Sequence, residues 1–287
     1  MDQYIKILSE KWANKDITRG IMLIENRNLN TPHTDIFDRA LLIFIKNPKR
    51  TWFVESYQYE KEKVSVYIIT TLQLEEWVLN GVNKKIFTWL FNGEILYDRN
   101  NYLQQYIQEL ADFPFHERKV KLGLEFAKLL RCYLDGKSFY EQKQYLDAYT
   151  HIIHSLHHLG RLAVIEKGYH PETTVWNQVK QIEPEIYKMY EELINNQEEL
   201  SKRLKLLFLA SEFFIHQKTE LGSAHLLEVL QEKERWSLQE ILQHPELSIY
   251  SLDLMIIIEY LVDKNYLDVQ VDSIDGDMKM RYFTNGK

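Results

Sequence analysis

The spacing of apolar residues changes character twice along this chain. Up to about residue 115, short apolar runs alternate with helical stretches. Met1–Trp12 brings Tyr4, Ile5, Leu8 and Trp12 near one face and predicts a helix. Strands are predicted at Ile21–Ile24, Ala40–Ile45, Thr51–Tyr57 and Lys63–Thr70. The last of these, KVSVYIIT, has the β-branched and aromatic content of a half-buried strand. Thr71 is placed to cap a helix that stops near Asn80-Gly81. Ile86–Leu90 and Glu94–Tyr97 flank Asn92-Gly93, a hairpin-type turn signal, and Tyr102–Phe113 closes the region as a helix.

After Pro114 the period becomes helical throughout, as in VKLGLEFAKLLRCYL and YLDAYTHIIHSLHHLGRLAVIEKG. Further helices are expected at Glu172–Ile182, Pro184–Asn195 and Glu198–His216, which makes a bundle of about five helices. From residue 221 a third texture begins. Ala224–Gln231 is a short helix, Ser237-Leu238-Gln239-Glu240 is a capping box opening a second, and Ser248 or Ser251 opens a third that runs to about Val262. Two strands, Leu267–Val271 and Met278–Phe283, join through Asp275-Gly276. Three helices and a hairpin are the order of a winged helix. The expected fold is therefore α+β: a mixed-sheet domain over 1–115, a helical bundle over 116–220 and a winged helix over 221–287.

Composition adds little to this until charge is divided by region. The net charge is −7, but residues 221–287 hold six Lys/Arg against twelve Asp/Glu, while the remainder is near neutral. The acidic part is the C-terminal module. The single cysteine, Cys132, excludes an intrachain disulfide and a Cys-rich metal site, and fits a reduced, cytoplasmic protein. The charged N-terminus shows no signal peptide, and no uncharged apolar run approaches membrane-spanning length, so no membrane contact is expected.

The stretch GIMLIENRNLNTPHTDIFDRALLIFI, Gly20–Ile45, carries the first candidate chemistry. It places Asp35 and Asp38 in a polar loop at the mouth of an apolar strand. Metal-dependent phosphoryl chemistry uses such carboxylates to hold Mg²⁺ against a triphosphate, with a third acid on a neighbouring strand. Two acids on one strand face must be two apart, and these are three apart. In the simplest alternative, Thr34-Asp35 caps a turn and Asp38 ends the loop before the strand.

On IMLIEN, TDIFDRALLIF, VSVYIITTLQLEEWVLNG, IFTWLFNGEILYDR and LHHLGRLAVIEKGYHPETTVWNQV, nearly the whole chain resembles a family of nucleotidyltransferase-like proteins from bacillus-type bacteria. The resemblance implies a nucleotidyltransferase-like domain, a helical substrate-binding-like domain and a helix-turn-helix tail. It maps the family's Gly-Ser position near Asn26-Arg27, where the motif is absent. The first metal Asp maps to Asp38 and the second to Ala40, which binds no metal, with Asp35 able to move in. No acid stands in Val64–Ile68, which leaves Glu55 on the preceding strand as the third candidate. The candidate catalytic set is thus Asp38, Asp35 and Glu55, with Asp38 and Asp35 holding Mg²⁺ if the protein is active.

By the same resemblance the helical domain would hold the acceptor through His158, Arg161, Glu166 and Trp176. Arg161 suits a phosphate and Trp176 a base, although a core position is the simpler reading of Trp176. Arg161 has no acid at helical spacing on its own helix, so any ionic partner must come from another. His151, His154, His157 and His158 crowd one helix, but no HExxH forms, and helix packing or a cleft lining explains them better than a metal. In the tail, the third helix bears Asp253, Glu259 and Asp263 against Lys264 alone. That charge opposes DNA and favours a protein partner or a homodimer. Three readings follow. The first is a degenerate nucleotidyltransferase binding a nucleotide or partner without turnover. The second is an active enzyme with a relocated metal site, and the third a transcriptional regulator acting through the tail.

Overall fold

The computed structural model describes residues 2–25, 37–49, 51–59, 62–80, 83, 85–113, 115–172, 174–195, 197–274 and 277–284. Two compact units appear, Met1–Pro114 and Phe115–Lys287.

The first unit runs α1 (Asp2–Ala13), β1 (Thr18–Glu25), β2 (Arg39–Ile45), β3 (Trp52–Tyr59), β4 (Glu62–Thr70), α2 (Thr71–Asn80), α3 (Ile86–Asn92), β5 (Glu94–Asp98) and α4 (Tyr102–Asp112). Its five-stranded sheet has the order β3-β4-β2-β1-β5. Only β2 and β4 pair in parallel. Both faces are covered, so the central strands are apolar on both sides rather than alternating with polar residues. Ile21, Leu23, Leu41, Ile43, Val66 and Ile68 pack with Ile5 and Leu8 of α1. Met22, Ala40, Leu42 and Phe44 point the other way, toward Leu74, Trp77, Trp89 and Leu103 of α2, α3 and α4.

Two local expectations are corrected. Ile86–Leu90 is not a hairpin arm but part of α3: Ile86, Trp89 and Leu90 are buried at i, i+3 and i+4, a helical face. The cap of α2 is Thr70 rather than Thr71, since its Oγ1 accepts the Gln73 N–H at 3.2 Å. Gly81, the expected stop, lies outside the described residues.

The second unit continues with α5 (Phe115–Glu141), α6 (Tyr145–Glu166), α7 (Trp176–Ile182), α8 (Pro184–Asn195), α9 (Leu200–Leu230), α10 (Leu238–Gln243), α11 (Leu254–Asp263), β6 (Leu267–Ile274) and β7 (Asp277–Thr284). Residues 120–127 of α5 are buried on every side, as suits a central helix. The expected helices Glu198–His216 and Ala224–Gln231 are one continuous helix, α9. Its small residues do not end it. A Cβ on Gly222 would lie 2.3 Å from Phe126, so the glycine lets α9 approach α5 closely. The expected start of α7 moves from Glu172 to Trp176, and α11 begins at Leu254 after a 3-10 segment over Leu247–Asp253.

Ser237 and Glu240 form the expected capping box on α10. Ser237→Ala is expected to lower stability by about 1 kcal/mol, measured by denaturant unfolding. Trp236 bridges Tyr282 of β7, which ties the hairpin to the helices, and Asp275-Gly276 lies outside the described residues. Tyr260 of α11 meets Phe126 of α5 edge to face and shares a hydrogen bond with Thr219 of α9. The tail is therefore packed onto the helical bundle. Among the described residues no helix is long and apolar enough to cross a membrane.

Candidate functional site

Asp38 stands where the chain enters β2. Its N–H donates to the Lys63 carbonyl at 2.9 Å, and its Oδ2 accepts the Lys63 N–H at 2.8 Å. This carboxylate therefore fastens the start of β4. Asp35 lies outside the described residues. Ala40 is fully buried and pairs directly with Ser65 on β4, so these two occupy the site face of the neighbouring parallel strands. Ser65 lies within 3.4 Å of Ser56 on β3, hydroxyl to hydroxyl. Beside Asp38, Phe37 is buried against the rings of Tyr67 and Trp89.

Glu55 is not brought to this place. It pairs with Val66, which pairs with Leu41, and residues directly opposite one another share a face. Glu55 thus points to the α1 side, where it accepts a hydrogen bond from Tyr57, whose ring touches Tyr4. Two strand spacings across and three residues along put it about 14 Å from Asp38 by backbone geometry. Among the described residues no three His, Cys, Asp or Glu side chains converge on a metal position.

The helical candidates form a denser site. Glu125 of α5 is 5% exposed and receives both His158 (Nδ1 to Oε2, 2.8 Å) and Arg161 (Nε to Oε1, 3.0 Å) from α6. Burial, the largest single influence, pushes the Glu125 carboxyl up. The His158 hydrogen bond and the charges of Arg161 and Lys128 outweigh it and hold the group at about 2. Lys121, one turn earlier on α5, is 6% exposed, and burial brings its ammonium down to about 8. Because Arg161 is held through Nε, its two Nη groups are left without a protein partner among the described residues. A guanidinium fixed in this way presents a planar fork to a phosphate or carboxylate.

His157 is held down at about 4, first by burial and then by the charges of Arg161 and His158, so it is neutral near pH 7 and packs against Trp176. Trp176 is half-buried and stacks on Tyr190 at 3.9 Å. Glu166 is joined to Lys218 of α9 at 2.6 Å and does not meet Glu125's partners. His151 faces Asp135 and Phe139, and His154 is exposed. The histidine row is thus distributed among different neighbours. Sequence reading missed Lys121 and Glu125. Their signal was present as two ionisable residues one turn apart inside the apolar run VKLGLEFAKLL.

Comparison with known proteins places this geometry. The uncharacterized protein YgxA of Bacillus subtilis (strain 168) is 45% identical over 269 residues, 94% of this chain and 92% of its own. The chain belongs to the YgxA family. Three family models match it: nucleotidyltransferase-like over residues 1–118, YgxA-like substrate binding domain over 119–218 and helix-turn-helix domain over 224–282. A crystal structure of a nucleotidyltransferase-like protein from Exiguobacterium sibiricum 255-15 superimposes with a TM-score of 0.91 at 32% identity, covering 99% of both chains. In this YgxA-family chain Ala40 and Ser65 belong to the nucleotidyltransferase-like domain, and the Glu125 cluster belongs to the substrate-binding domain.

Proposed function

We propose that this protein is a degenerate nucleotidyltransferase, which binds a nucleotide or a phosphorylated partner without turning it over. The observation that carries this reading is the buried Ala40–Ser65 pair, a methyl and a hydroxyl where a cation site needs carboxylates. The Phe37–Tyr67–Trp89 ring cluster supports it, since apolar packing adjoins Asp38. In the same reading the ligand's anionic group is held by Arg161 and His158, with Glu125 as the positioning residue. The acidic C-terminal domain meets a protein partner. Its helix α11 carries no Lys or Arg, which disfavours DNA. The lone, buried Cys132 suits a cytoplasmic setting.

Titration calorimetry with each NTP, with and without Mg²⁺, tests this together with an assay for NMP transfer. Expected are binding that EDTA leaves in place, no transfer, and affinity reduced about tenfold or more in Arg161→Ala. Mg²⁺-dependent transfer abolished by Asp38→Ala would instead establish an active enzyme using a relocated site around Asp38 and Asp35. No binding of any NTP would turn the reading toward a protein partner alone. Salt-dependent DNA binding by the full chain would favour the transcriptional regulator.

A further inference from the structure

Helix α9 buries one side against α5, α6 and α8. Its other side is an exposed face running from Lys202 to Glu220. The middle of that face is apolar: Leu206, Leu209 and Phe213 are 65%, 57% and 59% exposed. Their spacing of three and then four residues is that of a coiled-coil seam, and together they make one apolar row with polar ends. Lys202, His216, Gln217 and Glu220 occupy those ends.

The charges beside the seam identify its occupant. Lys205 and Glu212 are two turns apart and lie on the same edge of the apolar row. In an antiparallel pair of helices related by a two-fold axis, each edge faces the same edge of its mate. With the axis near Leu209, Leu206 packs on Phe213 of the second copy, Leu209 packs near its own equivalent, and Lys205 lies opposite Glu212 of the second copy, within about one residue rise of 1.5 Å. The Leu206–Phe213 and Lys205–Glu212 relations each occur twice by symmetry. Lys205 has no partner among the described residues, and Glu212 accepts from Tyr133 and Lys137 through Oε2, leaving Oε1 unpartnered.

We infer that this face is a self-complementary interface, through which two copies of the chain associate by antiparallel packing of α9. The surface lies on α9, and it does not depend on the proposed nucleotide binding. Sedimentation equilibrium on the full chain is the test. The wild type is expected to dimerise, and Leu209→Glu to be monomeric with an unchanged far-UV spectrum, since the site is exposed. Lys205→Glu, which sets like charges against Glu212, is expected to weaken the dimer about tenfold or more. Combining it with Glu212→Lys is expected to restore the dimer. A wild-type monomer at high protein concentration, or a dimer indifferent to both Leu209→Glu and Lys205→Glu, would overturn the inference.

Discussion

Glu125→Ala is expected to destabilise the second unit by about 3–5 kcal/mol, because it strands the largely buried Arg161 without its carboxylate. In a unit of this size that corresponds to a fall of about 10 °C in melting temperature, readable by calorimetry near neutral pH. Changing Arg161 and Glu125 together to methionine is expected to recover much of the loss, since the penalty comes from the uncompensated charge rather than from the missing pair. The acid limb of the stability profile reports the same group. Its folded value, about 2, lies below the unfolded carboxylate range, so its contribution is complete above about pH 5 and disappears as pH falls toward 2. Glu125→Ala is expected to flatten that limb.

Ala40→Asp is the second large effect, and it separates ancestry from latent chemistry. If the metal site were merely short of one acid, this substitution with Ser65→Asp would rebuild it, and Mg²⁺ would raise the melting temperature. The packing predicts otherwise. Ala40 has no exposed surface and belongs to the core shared with Leu42, Phe44 and Trp89. A carboxylate there has no water and no cation, and the expected result is a loss of about 4 kcal/mol or more that Mg²⁺ does not reverse. A Mg²⁺-induced recovery would show that the pocket retains its coordination geometry.

These two positions also show how far sequence reading reached. The strands of the first unit were visible because β1, β2 and β4 are apolar for most of their length, and most of the helices because their apolar residues recur at helical spacing. What failed was local and had tertiary causes. Asn92-Gly93 looked like a hairpin turn, yet Ile86, Trp89 and Leu90 had a sheet face to cover, and the segment is helical. Residues 217–223 fall between the two helices that the sequence predicts, yet α9 runs through them, and its Gly222 lies against Phe126.

By itself the sequence determined the α+β architecture and the acid excess of the tail. Each follows from residue identity or period, which are properties of the chain alone. Only the tertiary structure decided that Glu55 faces away from Asp38, because strand order and register set which side chains share a face. It alone revealed the partner of Arg161. Glu125 lies on a different helix, and a buried ion pair between helices leaves no spacing in the sequence. It also decided that Leu206, Leu209 and Phe213 remain exposed, since an apolar row on a helix reads the same whether or not a neighbour covers it.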